Sequence, residues 1–150
     1  MIAYPDTSFL FAIYRLQDNS PQAAALFRAM AEPLMVSSLL LFEFRQSARY
    51  QMALYARDRR RGFPKAQATR MLADLQSDLA SGALVVVPAE WPEVLSIAES
   101  LSSKHTATGA HRALDVLHVA TAMHLGAREF LTFDANQATL AKAEGLKARP

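Results

Sequence analysis

The chain has 150 residues, 51% of them hydrophobic and 20% charged, with no cysteine and a formal net charge of +2. That is the size and composition of one folded domain, and it excludes disulfides, thiolate metal sites and a disordered polyelectrolyte. The charge permits nucleic-acid binding without requiring it, no apolar run approaches the length of a membrane span, and a cytoplasmic setting is the default expectation.

In chain order, short β-rich runs alternate with longer helical patterns. The first run is Met1 to Tyr4, ended by Pro5. The segment around it, MIAYPDTSFLFAIY, has no basic leader and carries Asp6 inside the apolar stretch, so it reads as mature structure rather than a signal peptide. Thr7 to Arg15 and Pro21 to Met30 form an opening helical pair. A second strand, Leu34 to Val36, leads into a long helix from Leu39 to about Arg60. Lys65 to Ala80 answers that helix across the Arg-Gly-Phe-Pro break at 61–64. Leu84 to Val87 is the third strand and Pro92 to Lys104 the next helix. Leu114 to Leu125 is a helix, Phe130 to Phe133 a strand, Ala135 to Glu144 a helix and Leu146 to Ala148 a last short strand. This alternation predicts a single α/β domain over residues 1–150, a three-layer α/β/α sandwich with a mostly parallel central sheet of four to five strands.

The acids fall in unusual places. Asp6 directly follows the first strand and Asp134 the fourth, and the carboxyl ends of parallel strands are where ligands bind in such sheets. Either position also suits a helix N-cap. Glu43 lies among large apolar residues in Leu39-Leu40-Leu41-Phe42-Glu43-Phe44, with Leu40 where a capping box would need Ser or Thr. Asp115 opens an apolar helix and has Arg112 three residues before it as a surface partner. His111 and His118 flank Asp115, so a His-Asp-His transition-metal site is a further possibility beside packing or substrate contact. His105 and His124 carry no functional signal.

One parallel sheet can bring all four acids to one rim. Carboxylates gathered so closely repel unless protonated or neutralised by a cation, and oxygen-only donors suit Mg²⁺ or Mn²⁺. Such an ion activates water and neutralises a phosphodiester under attack. The densest basic stretch, Arg57, Arg59, Arg60 and Arg61 with Lys65 and Arg70 nearby, reads either as a solvated helix end or as a phosphate-contacting ledge. Arg45 and Arg49, which follow Glu43 on the same helix, and Arg112, three residues before Asp115, are further phosphate-contact candidates. Tyr50, Tyr55 and Phe63 are either core residues or platforms for unpaired bases.

Four segments together carry a resemblance: Asp6-Thr7-Ser8, Glu43, Arg112-Ala113-Leu114-Asp115-Val116-Leu117-His118-Val119-Ala120-Thr121-Ala122, and Leu131-Thr132-Phe133-Asp134. In order and spacing, over essentially the whole chain, they resemble the PIN-domain family and within it the VapC-type ribonuclease toxins of toxin–antitoxin pairs. The resemblance implies that Asp6, Glu43, Asp115 and Asp134 form a catalytic, metal-binding quartet for Mg²⁺ or Mn²⁺, with Thr7, Ser8 and Thr132 supporting it by hydroxyl hydrogen bonds; it leaves a role for Asn136 open. It further implies an endoribonuclease that inhibits translation, a small antitoxin partner and a homodimer. Other readings are a PIN-domain nuclease of RNA processing, a phosphatase using Asp6, and a non-catalytic binding module. The phosphatase reading suffers from Ser8 standing where a second aspartate is wanted.

Overall fold

A computed structural model of the chain describes residues 2–150; Met1, with which the first expected strand begins, lies outside them. Five short parallel strands alternate with helices: β1 (Ala3–Pro5), α1 (Thr7–Tyr14), α2 (Ser20–Arg28), β2 (Leu34–Val36), α3 (Ser38–Arg57), α4 (Lys65–Ser81) and β3 (Leu84–Val86). Then come α5 (Trp91–Leu101), a π-helical turn at Ser102–Thr106, α6 (Ala107–Gly109), α7 (Ala113–His124), β4 (Glu129–Leu131), α8 (Ala135–Ala143) and β5 (Lys147–Arg149). The π turn and α6 occupy a stretch read from sequence partly as the end of a regular helix and partly as a connection. Among the described residues no helix is long and apolar enough to cross a membrane.

The strands form two parallel ladders, β1-β4-β5 and β2-β3, rather than one continuous hydrogen-bonded sheet. β1 lies beside β2 without a ladder. Proline supplies the reason. Pro5 is inside β1, opposite Leu131, instead of ending the strand. Asp6 N–H donates to Leu131 O on the β4 side. Donors alternate between the two edges of a strand, so the donor at position 5 would face β2, and proline has none. Helices pack in two groups about the strands: α3 against α4 and α1, and α7 against α5 and α8. The α/β/α arrangement expected from the alternation is therefore present, with the parallel strands broken at one seam.

The core is aromatic at its centre. Tyr4, Phe9, Phe44 and Phe130 are fully buried, Tyr4 stacking on Phe130 and Phe44 meeting both Phe11 and Tyr14. Ser37 caps α3 by accepting from Leu40 N–H, and its hydroxyl also meets the Tyr4 hydroxyl at 2.7 Å. That double use ties the start of α3, and hence Glu43, to β1.

The α3–α4 turn depends on Gly62, which adopts φ +64°. A Cβ there would stand 2.0 Å from the Gln51 carbonyl oxygen. Gly62→Ala combines left-handed strain with a backbone clash, so we expect a loss of about 2–4 kcal/mol. A melting temperature unchanged to within about 1 °C by calorimetry would show that the turn is looser than it stands.

Candidate functional site

Each acid is positioned by local structure. Asp6 leaves β1 and caps α1, its Oδ1 accepting from Phe9 N–H at 2.9 Å. Asp134 follows β4 and caps α8, its Oδ1 accepting from Asn136 and Gln137 N–H. The cap readings of both are therefore correct, yet a cap needs only a solvated carboxylate, and Asp6 is 0% exposed. Asp115 is in the first turn of α7 and buried; Glu43 lies in the second turn of α3 and is half-buried.

Hydrogen bonds join Asp6, Asp134 and Asp115 into one network, while Glu43 is held beside it by Thr7, the residue after Asp6, and by His118. Thr7 donates to Glu43 Oε2 at 2.6 Å, Ser8 to Asp6 Oδ1 at 2.7 Å and Thr132 to Asp6 Oδ2 at 2.6 Å. Thr132 in turn accepts from Asp134 N–H, and Ser8 from Phe133 N–H. Gln137 donates to Asp115 Oδ1 at 3.0 Å. Arg112 closes the far side, its Nε 2.9 Å from Asp115 Oδ2 and its Nη2 3.9 Å from Asp134 Oδ2. Thr7, Ser8 and Thr132 thus each donate a hydroxyl hydrogen bond to an acid.

Electrostatics separate the acids. Burial raises Asp6 above the usual carboxylate range, more than the bonds from Thr132, Ser8 and Phe9 can offset. Burial also pushes Glu43 upward, but the His118 hydrogen bond and charge, the Thr7 hydroxyl and the Arg112 charge outweigh it and hold Glu43 low.

His118 and Gln137 are the members that sequence reasoning did not place. His118 is buried on α7 and bonds through Nε2 to Glu43 Oε2, so it serves Glu43 and not Asp115. His111 lies against Gly109, before α7 begins. The His-Asp-His arrangement around Asp115 is therefore absent. Gln137 carried no signal, being neutral and three residues past an N-cap.

The structure sets most of the arginines named from sequence away from the acids. Arg45 and Arg49 are two and six residues beyond Glu43, which turns them about 200° and 240° around α3 from it. Neither shares its face. Arg57 ends α3 about 21 Å further along the axis, and Arg59, Arg60 and Arg61 are exposed in the turn after it, Arg60 paired with Asp58. Phe63 is buried under Arg15 and cannot stack on a base, whereas Tyr50 is exposed. Arg112 is the one arginine of the set at the acids. Asn136 touches the network through its backbone and donates its side chain to Gly109 O.

Among the described residues no three of His, Asp and Glu converge as a ready ligand set. The donor chemistry nevertheless suits a hydrated hard cation. Asp6 and Asp115 have both carboxylate oxygens engaged, while Glu43 Oε1 accepts no hydrogen bond and Asp134 Oδ2 faces only Arg112 at 3.9 Å. Mg²⁺ is commonly held by one or two carboxylates and keeps waters for the rest.

Comparison with known proteins agrees with this architecture. No curated protein matches the chain. Among solved structures, VapC20 of Mycobacterium tuberculosis, described as a sarcin–ricin loop cleaving toxin, superposes with a TM-score of 0.67 at 19% identity, covering 99% of both chains. VapBC2 of Rickettsia felis, bound to a promoter DNA fragment, gives 0.65 at 14% identity over 99% of this chain and 98% of that one. FitAcB of Neisseria gonorrhoeae gives 0.63 at 16% identity over 99% and 97%. At such identities the likeness speaks for the fold. The PIN-domain family model matches residues 3–143, from the first strand through the last helix, and the chain belongs to the PIN-domain family.

Proposed function

We propose that the chain is a metal-dependent endoribonuclease and the toxin of a VapBC-type pair that inhibits translation in the cytoplasm. The observation that carries this is the hydrogen-bonded group of Asp6, Asp134 and Asp115, with Glu43 fixed beside it through Thr7, the neighbour of Asp6, in a PIN domain. Glu43 and Asp134 would hold Mg²⁺ or Mn²⁺ through their unengaged oxygens, with Asp6 and Asp115 supplying the surrounding negative charge. When bound, such an ion neutralises charge on the phosphodiester and makes water a better nucleophile at neutral pH.

The chain's own residues do the positioning. Thr7 and His118 both bond Glu43 Oε2, which leaves Oε1 without a hydrogen bond among the described residues. Ser8 and Thr132 fix Asp6, and Gln137 fixes Asp115. Arg112, whose side chain is 77% exposed, is free to trade its acid partners for a phosphate of RNA held by its backbone.

A protein partner is supported by what the surface leaves uncovered. Leu16 is 86% exposed and Phe42 on α3 is 63% exposed, apolar side chains that a partner could cover. The apolar residues of α7 are largely covered, since that helix packs against α5 and α8. One solved structure of this fold is a toxin–antitoxin complex from Klebsiella pneumoniae, and by analogy we assign this chain a small antitoxin partner, together with the homodimeric state that the family resemblance implies.

The test is cleavage of RNA by the purified chain with Mg²⁺ or Mn²⁺ and its arrest by chelator. Millimolar Mn²⁺ is expected to raise the melting temperature by several degrees, since a ligand at 100 times its Kd adds about 2.7 kcal/mol. Melting indifferent to Mn²⁺, together with cutting that survives chelation, would refute the metal-dependent reading.

A further inference from the structure

The geometry points to a nucleobase pocket beside the acidic rim, formed where the π turn meets α7, that selects which RNA is cut. This inference rests on the nuclease reading and deepens it. A cavity of about 340 Å³ lies between α5 and α7, walled by Leu95, Ala98, Val116 and Leu117 and bordered by Thr106 and His111. Its size is within the range of small-ligand sites, and its composition is theirs as well, mostly apolar with a few polar groups.

Its position is tied to the acids at two points. His111 immediately precedes Arg112, which bonds Asp115, and Val116 immediately follows Asp115. Asn136, two residues after Asp134, donates to Gly109 O at 3.2 Å and so binds α8 to the segment bordering the cavity. A nucleotide whose phosphate is held by Arg112 would therefore present its base to this pocket, whose border residue His111 is the next residue in the chain.

Three irregularities concentrate in the same segment. Residues 102–106 take a π-helical turn, a form that recurs at functional sites. Ala110 adopts φ +51°, a left-handed conformation that a non-glycine residue holds only when its surroundings impose it. Thr106 Oγ1 and His111 Nδ1 are shut off from solvent without a hydrogen-bond partner in the protein. Unpaired polar atoms beside an apolar slot are what an occupant with a flat apolar face and a polar edge requires. An unstacked RNA base has both, since bases are read by stacking on side chains and by hydrogen bonds to their edges. Turning the Thr106 and His111 side chains toward the slot gives that edge its partners.

Gly109 allows a clean perturbation. A Cβ on it would lie 2.3 Å from His111 Nε2, so Gly109→Ala must displace the His111 ring, and Gly109 itself bonds Asn136 rather than any of the four acids. Thr106→Val removes the hydroxyl at constant shape. Cleavage positions are to be mapped across a randomised single-stranded RNA pool with Mn²⁺. The parent should prefer one base at one fixed position flanking the cut. Both variants should lose about tenfold or more of that preference, while total cutting changes less than about threefold. Variants that keep the parent's preference, or a parent with no base preference, would overturn the pocket.

Should the parent cut no RNA at all, the nuclease reading falls and binding decides the pocket separately. The four common nucleoside monophosphates are then titrated against the metal-free chain while the His111 ring signals are followed by NMR. Shifts with one nucleotide over the others, lost in Gly109→Ala, support the pocket; no shift with any of them removes it.

Discussion

Asp6→Asn is expected to cut RNA cleavage about 100-fold or more while leaving the protein folded and at least as stable as the parent at neutral pH. The substitution keeps the shape and retains Oδ1 as acceptor for Ser8 and Phe9 N–H. On the other branch the new amide donates to Thr132, whose hydroxyl need only turn to accept. What disappears is a negative charge in a fully buried position, the charge the proposed site needs and the fold does not. Loss of function with unchanged or increased stability is the mark of a group kept for chemistry.

The pH dependence follows with a definite sign. Asp6 is raised above its unfolded value of 3.8, first by burial, so the metal-free folded chain keeps a proton that the unfolded chain has released. Its stability therefore falls as pH rises from about 3.8 through the raised value. Asp6→Asn should flatten that segment of the stability curve, with the advantage over the parent vanishing at low pH where both forms are neutral. Denaturant titrations across the acid range in chelator measure this directly. An Asn variant that is less stable than the parent at neutral pH would mean that the carboxylate is a structural cap and no more.

Phe44→Ala is the second large effect. Phe44 is fully buried against Phe11 and Tyr14, and truncating it removes an aromatic ring from the centre of the core. The expected cost is about 3–5 kcal/mol, a large part of the ~5–15 kcal/mol by which domains of this kind are stable. Phe42→Ala is the control. It lies two residues away on the same helix but is 63% exposed, and should stay within about 0.5 kcal/mol in the isolated chain. Equal costs at the two positions would contradict the rotational phase of α3 and with it the outward placing of Glu43 between them. A Phe42 variant that folds normally but no longer associates with the protein partner would support the proposed docking role of that exposed ring.

The sequence by itself determined the features that depend on neighbouring residues. Alternating short β-rich runs and helical patterns are local signals, and they were sufficient for an α/β chain with parallel strands and for the carboxylates of Asp6 and Asp134 at strand ends. Local cap chemistry made Asp6 and Asp134 recognisable as helix starts, and the hydroxyls of Thr7, Ser8 and Thr132 stand beside them in sequence. Tertiary structure alone decided the partners. His118 meets Glu43 across 75 positions, Thr132 meets Asp6 across 126 and Gln137 meets Asp115 across 22, and none of these separations has a period that a sequence displays. The same holds for what was lost. Arg45 and Arg49 follow Glu43 closely in the chain but turn away from it on the helix, and Pro5, read as the end of a strand, sits within it and leaves β1 without a ladder to β2. Burial is the physical reason for the difference. A carboxylate beside a strand end can be placed by local geometry, but whether it is solvated or sealed, and which donor meets it, is set by helices packing against one another from distant parts of the chain.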